Sequence, residues 1–330
     1  MSKPVIAITM GDPAGIGPEL VAKVLDDPSV WTQCAPFVIG DLVVLGAAGA
    51  VAGSALKWRP ISDLSEAQFT AGAVDVLCPR DLEIGAVPVG QVNAAMGRAA
   101  ARCFELAYEL AQAGQVQGVV AAPMNKEAFH QAGYHYFDEL TWLAHITQSP
   151  EPFLVGVTNA MWTVTVTEHI PFKEIAAHIQ KERILDRTRK LYDVLVRVGF
   201  AEPRIAVAAL NPHAGEGGLF GTDEIDEIAP AVRAAQQDDI NAVGPVPADA
   251  VFVRTQAGEF DGVVCMYHDQ ANIARKLQPS RAGATLFMGL PVVCGTTAHG
   301  TAFDIAGRGI ADAGSMRDAL EYVIRLAAVS

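Results

Sequence analysis

Residues 5–25 read VIAITMGDPAGIGPELVAKVL. Val5–Thr9 is a short run of apolar and β-branched residues, the pattern of a buried strand. From Pro18 to Leu25 the apolar residues recur at three- and four-residue steps, as on one face of a helix. Proline suits the first helical position, because the N–H it lacks has no intrahelical partner there. The glycine-rich link GDPAGIGPE (Gly11–Glu19) thus joins a strand to the start of a helix, where unpaired backbone N–H groups can receive an anion. Its spacing is not GxGxxG, so the usual dinucleotide fingerprint is absent. Gly11 and Asp12 are candidate cofactor contacts, and a plain tight turn is the alternative.

The same strand-then-helix alternation continues along the chain. Further strands are expected at Gly118–Ala121, Phe153–Val157, Trp162–Thr167, Ile205–Leu210, Gly262–Tyr267 and Val292–Cys294. Helices are expected at Val92–Ala113, Glu174–Val198, Asp223–Gln236 and Met316–Ala328, with Thr222 as a cap and Ser315 with Asp318 as a capping box. Such alternation favours an α/β fold with mixed, mainly parallel sheets covered by helices. A chain of 330 residues suggests two lobes. We expect residues 1–132 with 300–330 in one and 133–299 in the other, crossing near the polar stretch Gly133–Pro152.

Three of these strands run into a histidine: His169 in TVTVTEHIP, His213 in IAVAALNPHAGEGG and His268 in GVVCMYHDQ. Strand ends of α/β proteins converge on the sheet edge where ligands bind. Three imidazoles delivered there can hold one divalent metal and leave a position open for substrate. The intervals between them match no short metal motif, so the reading rests on context. Neutral imidazoles suit zinc, cobalt, nickel or manganese, and magnesium stays among the candidates. Asp249 in GPVPAD and Asp269 beside His268 are candidate supporting carboxylates, Asp249 also a catalytic one. Lys126, just after a strand in APMNKEAF, is a candidate proton shuttle, or simply a surface lysine of a short helix.

Composition excludes other classes. A net charge of −13 argues against nucleic-acid or anionic-membrane partners, both of which need a basic face. The start MSKPVIAITMGD lacks the apolar core of a signal peptide, and VVLGAAGAVAGSAL is too short to span a membrane. The five scattered cysteines contain no CxxC and read as reduced thiols, so a cytoplasmic location is expected. No GxSxG and no paired Cys–His suggests an activated nucleophile.

MGDPAGIGPE, NPHAGEGG with the following FGTDEI, GPVPAD, MYHDQ and HGTAFDIAGRGIAD occur in this order between about residues 5 and 325. Together they resemble the 4-hydroxythreonine-4-phosphate dehydrogenase family. The resemblance implies a two-lobed fold like that of isocitrate and isopropylmalate dehydrogenases, with a central cleft. It also implies a homodimer whose active site is shared across the interface. It places the family's metal ligands on His169, His213 and His268, and the loop that surrounds the adenosine half of NAD or NADP on His299, Gly300, Thr301 and Asp304. The implied reaction is NAD(P)-dependent oxidation of a secondary alcohol, followed by loss of CO2.

Departures from the family pattern fall in the substrate pocket. Where members acting on the phosphate ester carry Gly-His-Thr-Glu, an ungapped alignment gives Asp138, Glu139, Leu140 and Thr141. Lys276 is kept, whereas Thr285 replaces Asn and Cys294 replaces Arg. A carboxylate at Glu139 repels a phosphate, and a thiol offers no bidentate anion recognition. Arg275 and Arg281 are nearby candidates to compensate. From this we expect a paralogue whose substrate is an aromatic carboxylate cis-dihydrodiol of the terephthalate type. The alternative is 4-hydroxythreonine 4-phosphate, or a threonate or erythronate 4-phosphate.

Overall fold

A computed structural model describes residues 3–82, 84–159, 161–278 and 283–328. In chain order the first elements are β1 (Val5–Thr9), α1 (Gly17–Leu25), α2 (Pro28–Gln33), β2 (Ala35–Ile39) and α3 (Leu42–Val51). Then come β3 (Lys57–Ile61), β4 (Ala73–Leu77), α4 (Ala94–Gln112), β5 (Gly118–Ala121), α5 (Lys126–Gln131) and α6 (Glu139–Thr147). The middle of the chain holds β6 (Phe153–Thr158), β7 (Met161–Thr167), α7 (Ile175–His178), α8 (Lys181–Val198), β8 (Ile205–Ala208) and α9 (Ala229–Gln237). It continues with β9 (Ala242–Val246), α10 (Ala248–Gln256), β10 (Gly262–Tyr267) and α11 (His268–Lys276). β11 (Ala284–Met288), β12 (Val293–Thr297) and α12 (Gly314–Ala327) complete it.

The chain divides into two compact units, 1–153 with 282–330, and 154–281. Residues 133–153 and 283–299, assigned from the sequence to the second lobe, cluster with the first. In the first unit the strand order is β3-β4-β2-β1-β5-β12-β11, and every pair is parallel except β11 with β12. In the second it is β6-β7-β10-β8-β9, with only β6 antiparallel to its neighbour. Parallel strands joined by crossover helices bury both faces, which is why β1, β5, β8 and β10 read as nearly unbroken apolar runs. In the second unit Ala206, Ala208, Val251, Phe260, Val263 and Cys265 form one core cluster.

Several local expectations differ from the structure. The helix expected over 174–198 is broken, because α7 ends at His178 and α8 restarts at Lys181. The one expected over 223–236 begins with a π-turn at Glu224–Ile228. Ser315 lies inside α12 rather than at its cap, and its hydroxyl donates to Gly283 O and accepts from Ala298 N. Strands β2, β3, β4, β9 and β11 are additional to those expected, although β2 (APFVI) and β11 (ATLFM) are largely apolar runs. Among the described residues no helix is long and apolar enough to cross a membrane.

Candidate functional site

Two constellations emerge, one in each unit. In the first, β1, β5 and β12 are adjacent and parallel, so the loops that follow them lie side by side. Asp12 N–H donates to Pro123 O at 2.9 Å and Ile16 N–H to Thr301 O at 3.0 Å. Gly11 has φ +70°, and a Cβ there would fall 2.6 Å from Pro123 O, so glycine is what lets the first loop close on the second. Asn125 caps α5 through Ala128 N and places Lys126, exposed, at its first position. His299 and Asp304 are exposed, whereas Thr301 is buried against Gly15. Asp12 is fully buried: one carboxylate oxygen accepts from Ala14 N at 2.8 Å and the other has no partner. Burial pushes its carboxyl up to about 6, against the pull of that one hydrogen bond. Asp12 therefore shapes the turn from within and offers no face to a ligand.

The residues expected to contact substrate, and the two that flank Glu139 and Leu140, have different fates. Asp138 is the N-cap of α6, its Oδ1 accepting from Thr141 N and Thr141 Oγ1, each at 2.8 Å. Two of the four departures thus serve a helix start. Glu139 lines a small pocket with Lys126, Met124, Phe129, Tyr136 and Asp138. Leu140 is half-buried beside it on α6, and Thr285 is half-buried on β11. Cys294 is fully buried in β12, its thiol pushed well above the ordinary range by burial, with Tyr108 close by. A guanidinium at 294 would need a partner in this apolar setting, and cysteine needs none.

In the second unit β7, β10 and β8 are adjacent and parallel, and His169, His268 and His213 follow their C-terminal ends in that order. Thr167 is paired with Tyr267 in register, so His169 and His268 emerge together with ring centroids 5.0 Å apart. His268 Nδ1 lies 2.7 Å from Asp269 Oδ1, an arrangement that orients the ring and leaves Nε2 for a ligand. Asp249 is exposed on the first turn of α10.

His213 stands apart from this pair. It opens a run of left-handed residues, His213, Ala214, Gly215, Glu216 and Gly217, and its ring packs toward Phe220. Among the described residues no three His, Cys, Asp or Glu side chains come close enough to share a metal ion. His169 and His268 fit two positions of a three-histidine site, and the trio is not assembled within the described chain.

Sequence reasoning passed over Glu168 and Glu224 here, and named Arg275 only as a nearby candidate, without a direction. Glu168 precedes His169, accepts from Thr165 Oγ1, and has its pKa raised by burial in spite of that bond and both nearby imidazoles. Glu224, 3% exposed, accepts from the backbone N–H of Leu210 (2.9 Å) and Asn211 (2.7 Å) and so holds the His213 loop. Arg275 lies over Gly156, where a Cβ would fall inside the guanidinium. Its Nη2 donates to Asn272, its Nε and Nη1 are buried without partners, and burial lowers its pKa. Arg275 thus points into the unit rather than to solvent. Lys276 is exposed, and Arg281 lies outside the described residues.

Residues 32–323 match the family described as pyridoxal phosphate biosynthetic protein PdxA. The chain belongs to this family. It is 42% identical over 325 residues to D-threonate 4-phosphate dehydrogenase of Cupriavidus necator, covering 98% of this chain and 97% of that one. The crystal structure of a 4-hydroxythreonine-4-phosphate dehydrogenase from Burkholderia phymatum is similar with a TM-score of 0.83 at 41% identity, covering 99% of both chains. A terephthalate 1,2-cis-dihydrodiol dehydrogenase from Burkholderia xenovorans is similar at a TM-score of 0.67 and 29% identity, covering 98% of both. The named relatives of this PdxA-family chain are dehydrogenases, and the nearer two act on 4-phosphate esters. That overturns the expectation of an aromatic cis-dihydrodiol substrate. Of the substitutions that suggested it, Cys294 is core, and Glu139 and Leu140 lie in the first turn of a helix that the flanking Asp138 and Thr141 cap.

Proposed function

We propose that the protein is an NAD(P)-dependent dehydrogenase that oxidises a secondary alcohol of a 4-phosphorylated hydroxy acid, of the D-threonate or 4-hydroxythreonine type. The observation that carries this reading is end-to-end similarity, near 40% identity, to dehydrogenases named for those substrates. The cofactor is assigned to the loop cluster of Gly11, His299, Gly300, Thr301 and Asp304 in the first unit. A divalent metal is assigned to His169 and His268, with His213 as third ligand. The active unit is assigned as a homodimer, so that a second copy of the chain can complete the site.

The chemistry follows from the residues. Oxidation removes a hydride from the alcohol carbon, which passes to NAD(P), and a proton from its oxygen, which needs a base. His169 and His268, with His213, would hold the divalent ion, which would supply the Lewis acidity that lowers the pKa of a bound alcohol. Lys126 is exposed at the head of α5 and shares a pocket with Glu139, a place from which an amine can take up or return a proton. Where the oxidised carbon is β to a carboxylate, loss of CO2 leaves an electron pair on the former α-carbon, delocalised into the new carbonyl. A proton returned to that carbon completes the balance. Asp269 fixes the His268 ring, and Glu224 fixes the backbone that carries His213.

The test is NADH and NADPH formation by metal-supplemented protein offered D-threonate 4-phosphate, 4-hydroxythreonine 4-phosphate and a carboxylated cis-dihydrodiol. Turnover of either phosphate ester, abolished by His169→Ala, is expected. Turnover of the diol alone would defeat the proposal.

A further inference from the structure

The loop of residues 298–313 carries the residues assigned to the cofactor, yet it contains no helix or strand, and several of its residues are exposed. Loops of this composition ordinarily sample many conformations, and ordering them on binding costs affinity. Its near end is held locally: Ile16 N–H donates to Thr301 O, and Thr297 Oγ1 to His299 O at 2.8 Å. What holds the far end is two side chains one turn apart on α1. Glu19, 2% exposed, accepts from Gly307 N–H at 2.6 Å and Gly309 N–H at 2.9 Å. Lys23 Nζ donates to Gly309 O at 2.8 Å and to Ala311 O at 2.6 Å.

The two side chains sort the loop's backbone by polarity, an anion taking N–H groups and a cation taking carbonyls. All four bonds involve a charged partner, and such bonds are roughly twice as strong as neutral ones. Gly309 has φ +68°, and a Cβ on it would collide with Val51 O, so only glycine brings both its N–H and its carbonyl to α1 at this point. Neither side chain reaches outward to a ligand through these bonds.

We propose that Glu19 and Lys23 are positioning residues for the dinucleotide: a two-sided clamp that holds residues 307–311 in the binding conformation before the cofactor arrives. This rests on the assignment of the 299–304 loop to NAD(P), and it adds a device outside that loop. A clamp of this kind acts on cofactor affinity, since the apparent dissociation constant rises as the competent fraction falls. Turnover at saturating cofactor is left close to normal.

The experiment uses the full-length protein with Glu19→Gln, Lys23→Met and Lys23→Arg. Two readouts are paired: NADH and NADPH affinity by fluorescence titration, and hydrogen exchange of the segment containing the Gly307 and Gly309 amides without cofactor. The expected result is faster exchange in residues 305–311 and about a ten-fold weaker dissociation constant in the Gln and Met variants. Partial rescue by Lys23→Arg and kcat within about two-fold of the parent are also expected. Unchanged exchange and unchanged affinity would overturn the clamp, as would a fall in kcat with affinity intact. If Glu19→Gln does not fold, the Lys23 pair decides. If the parent binds neither nucleotide, the cofactor assignment fails, while the exchange data still report whether the loop is clamped.

Discussion

Replacing Glu224 with alanine should open the loop that carries His213 without unfolding the protein. The reasoning begins from backbone strain. His213, Ala214 and Glu216 have φ of 53°, 55° and 45°, and L-residues in that region cost roughly 1–2 kcal/mol each, so the three store about 3–6 kcal/mol. The opposing interaction is the buried Glu224 carboxylate, which accepts from Leu210 N, Asn211 N and, at 3.0 Å, Asn211 Nδ2. Asn211 Nδ2 keeps a second acceptor, Asp223 Oδ2 at 2.7 Å, so the two backbone donors bear the loss. Hydrogen bonds to a charged group contribute about 1.5–3 kcal/mol each, again about 3–6 kcal/mol. Because the two quantities match, losing the carboxylate lets the run relax and recover its strain. Net destabilisation of the whole protein should therefore stay below about 2 kcal/mol, while opening of the loop becomes at least ~100-fold more frequent. Hydrogen exchange of a peptide spanning 210–221, alongside urea denaturation, reads both quantities. Protection of that peptide unchanged from the parent, or a global loss above about 4 kcal/mol with the loop still protected, would refute the argument.

Three further outcomes follow from the same structure. The carboxyl of Asp12 is raised to about 6 in the fold against 3.8 unfolded, so its contribution is fully present below about pH 4 and is lost as pH rises through 6. Asp12→Asn should consequently stabilise the protein at pH 8 by up to roughly 3 kcal/mol and not at pH 4, as followed by denaturation at both values; equal effects would contradict the buried-acid account. Gly156→Ala should cost about 1–3 kcal/mol, because the new methyl occupies the slot of the Arg275 guanidinium. Arg275→Ala in the same chain should restore part of that loss, and a strictly additive double-mutant cycle would show that the two residues do not compete for space. Lys126→Met should lower kcat by about 10²-fold or more while leaving nucleotide affinity unchanged, and an unaltered kcat in steady-state assays would remove Lys126 from proton transfer.

The α/β class was legible because buried parallel strands leave a one-dimensional mark: VIAIT, GVVA and GVVCMY are short apolar runs, each followed by a turn and a helical repeat. The three histidines were legible for the same reason, since each interrupts such a run at its end. Which strands are neighbours is not written in any run. The order β7-β10-β8 brings His169 and His268 to 5.0 Å, although 98 residues lie between them in the chain, while β8 ends early and sends His213 into a separate loop. The motif comparison saw that residues 138–141 and Cys294 depart from a pattern, and it read Glu139, Leu140 and Cys294 as substrate chemistry. Only the fold shows that Asp138 and Thr141 close a helix end and that Cys294 is core, because capping and burial are properties of backbone direction and depth. Glu19, Lys23 and Glu224 were invisible to pattern for a related reason, and Arg275, a candidate by its place in the chain, had no direction. Their partners are backbone groups or bare glycines, in Glu19 and Lys23 more than 280 residues away, and such partners have no side-chain signature that a sequence can display. Local order along the chain was determined by the sequence alone; which polar groups would be deprived of water, and hence needed these partners, was decided when the tertiary structure closed around them.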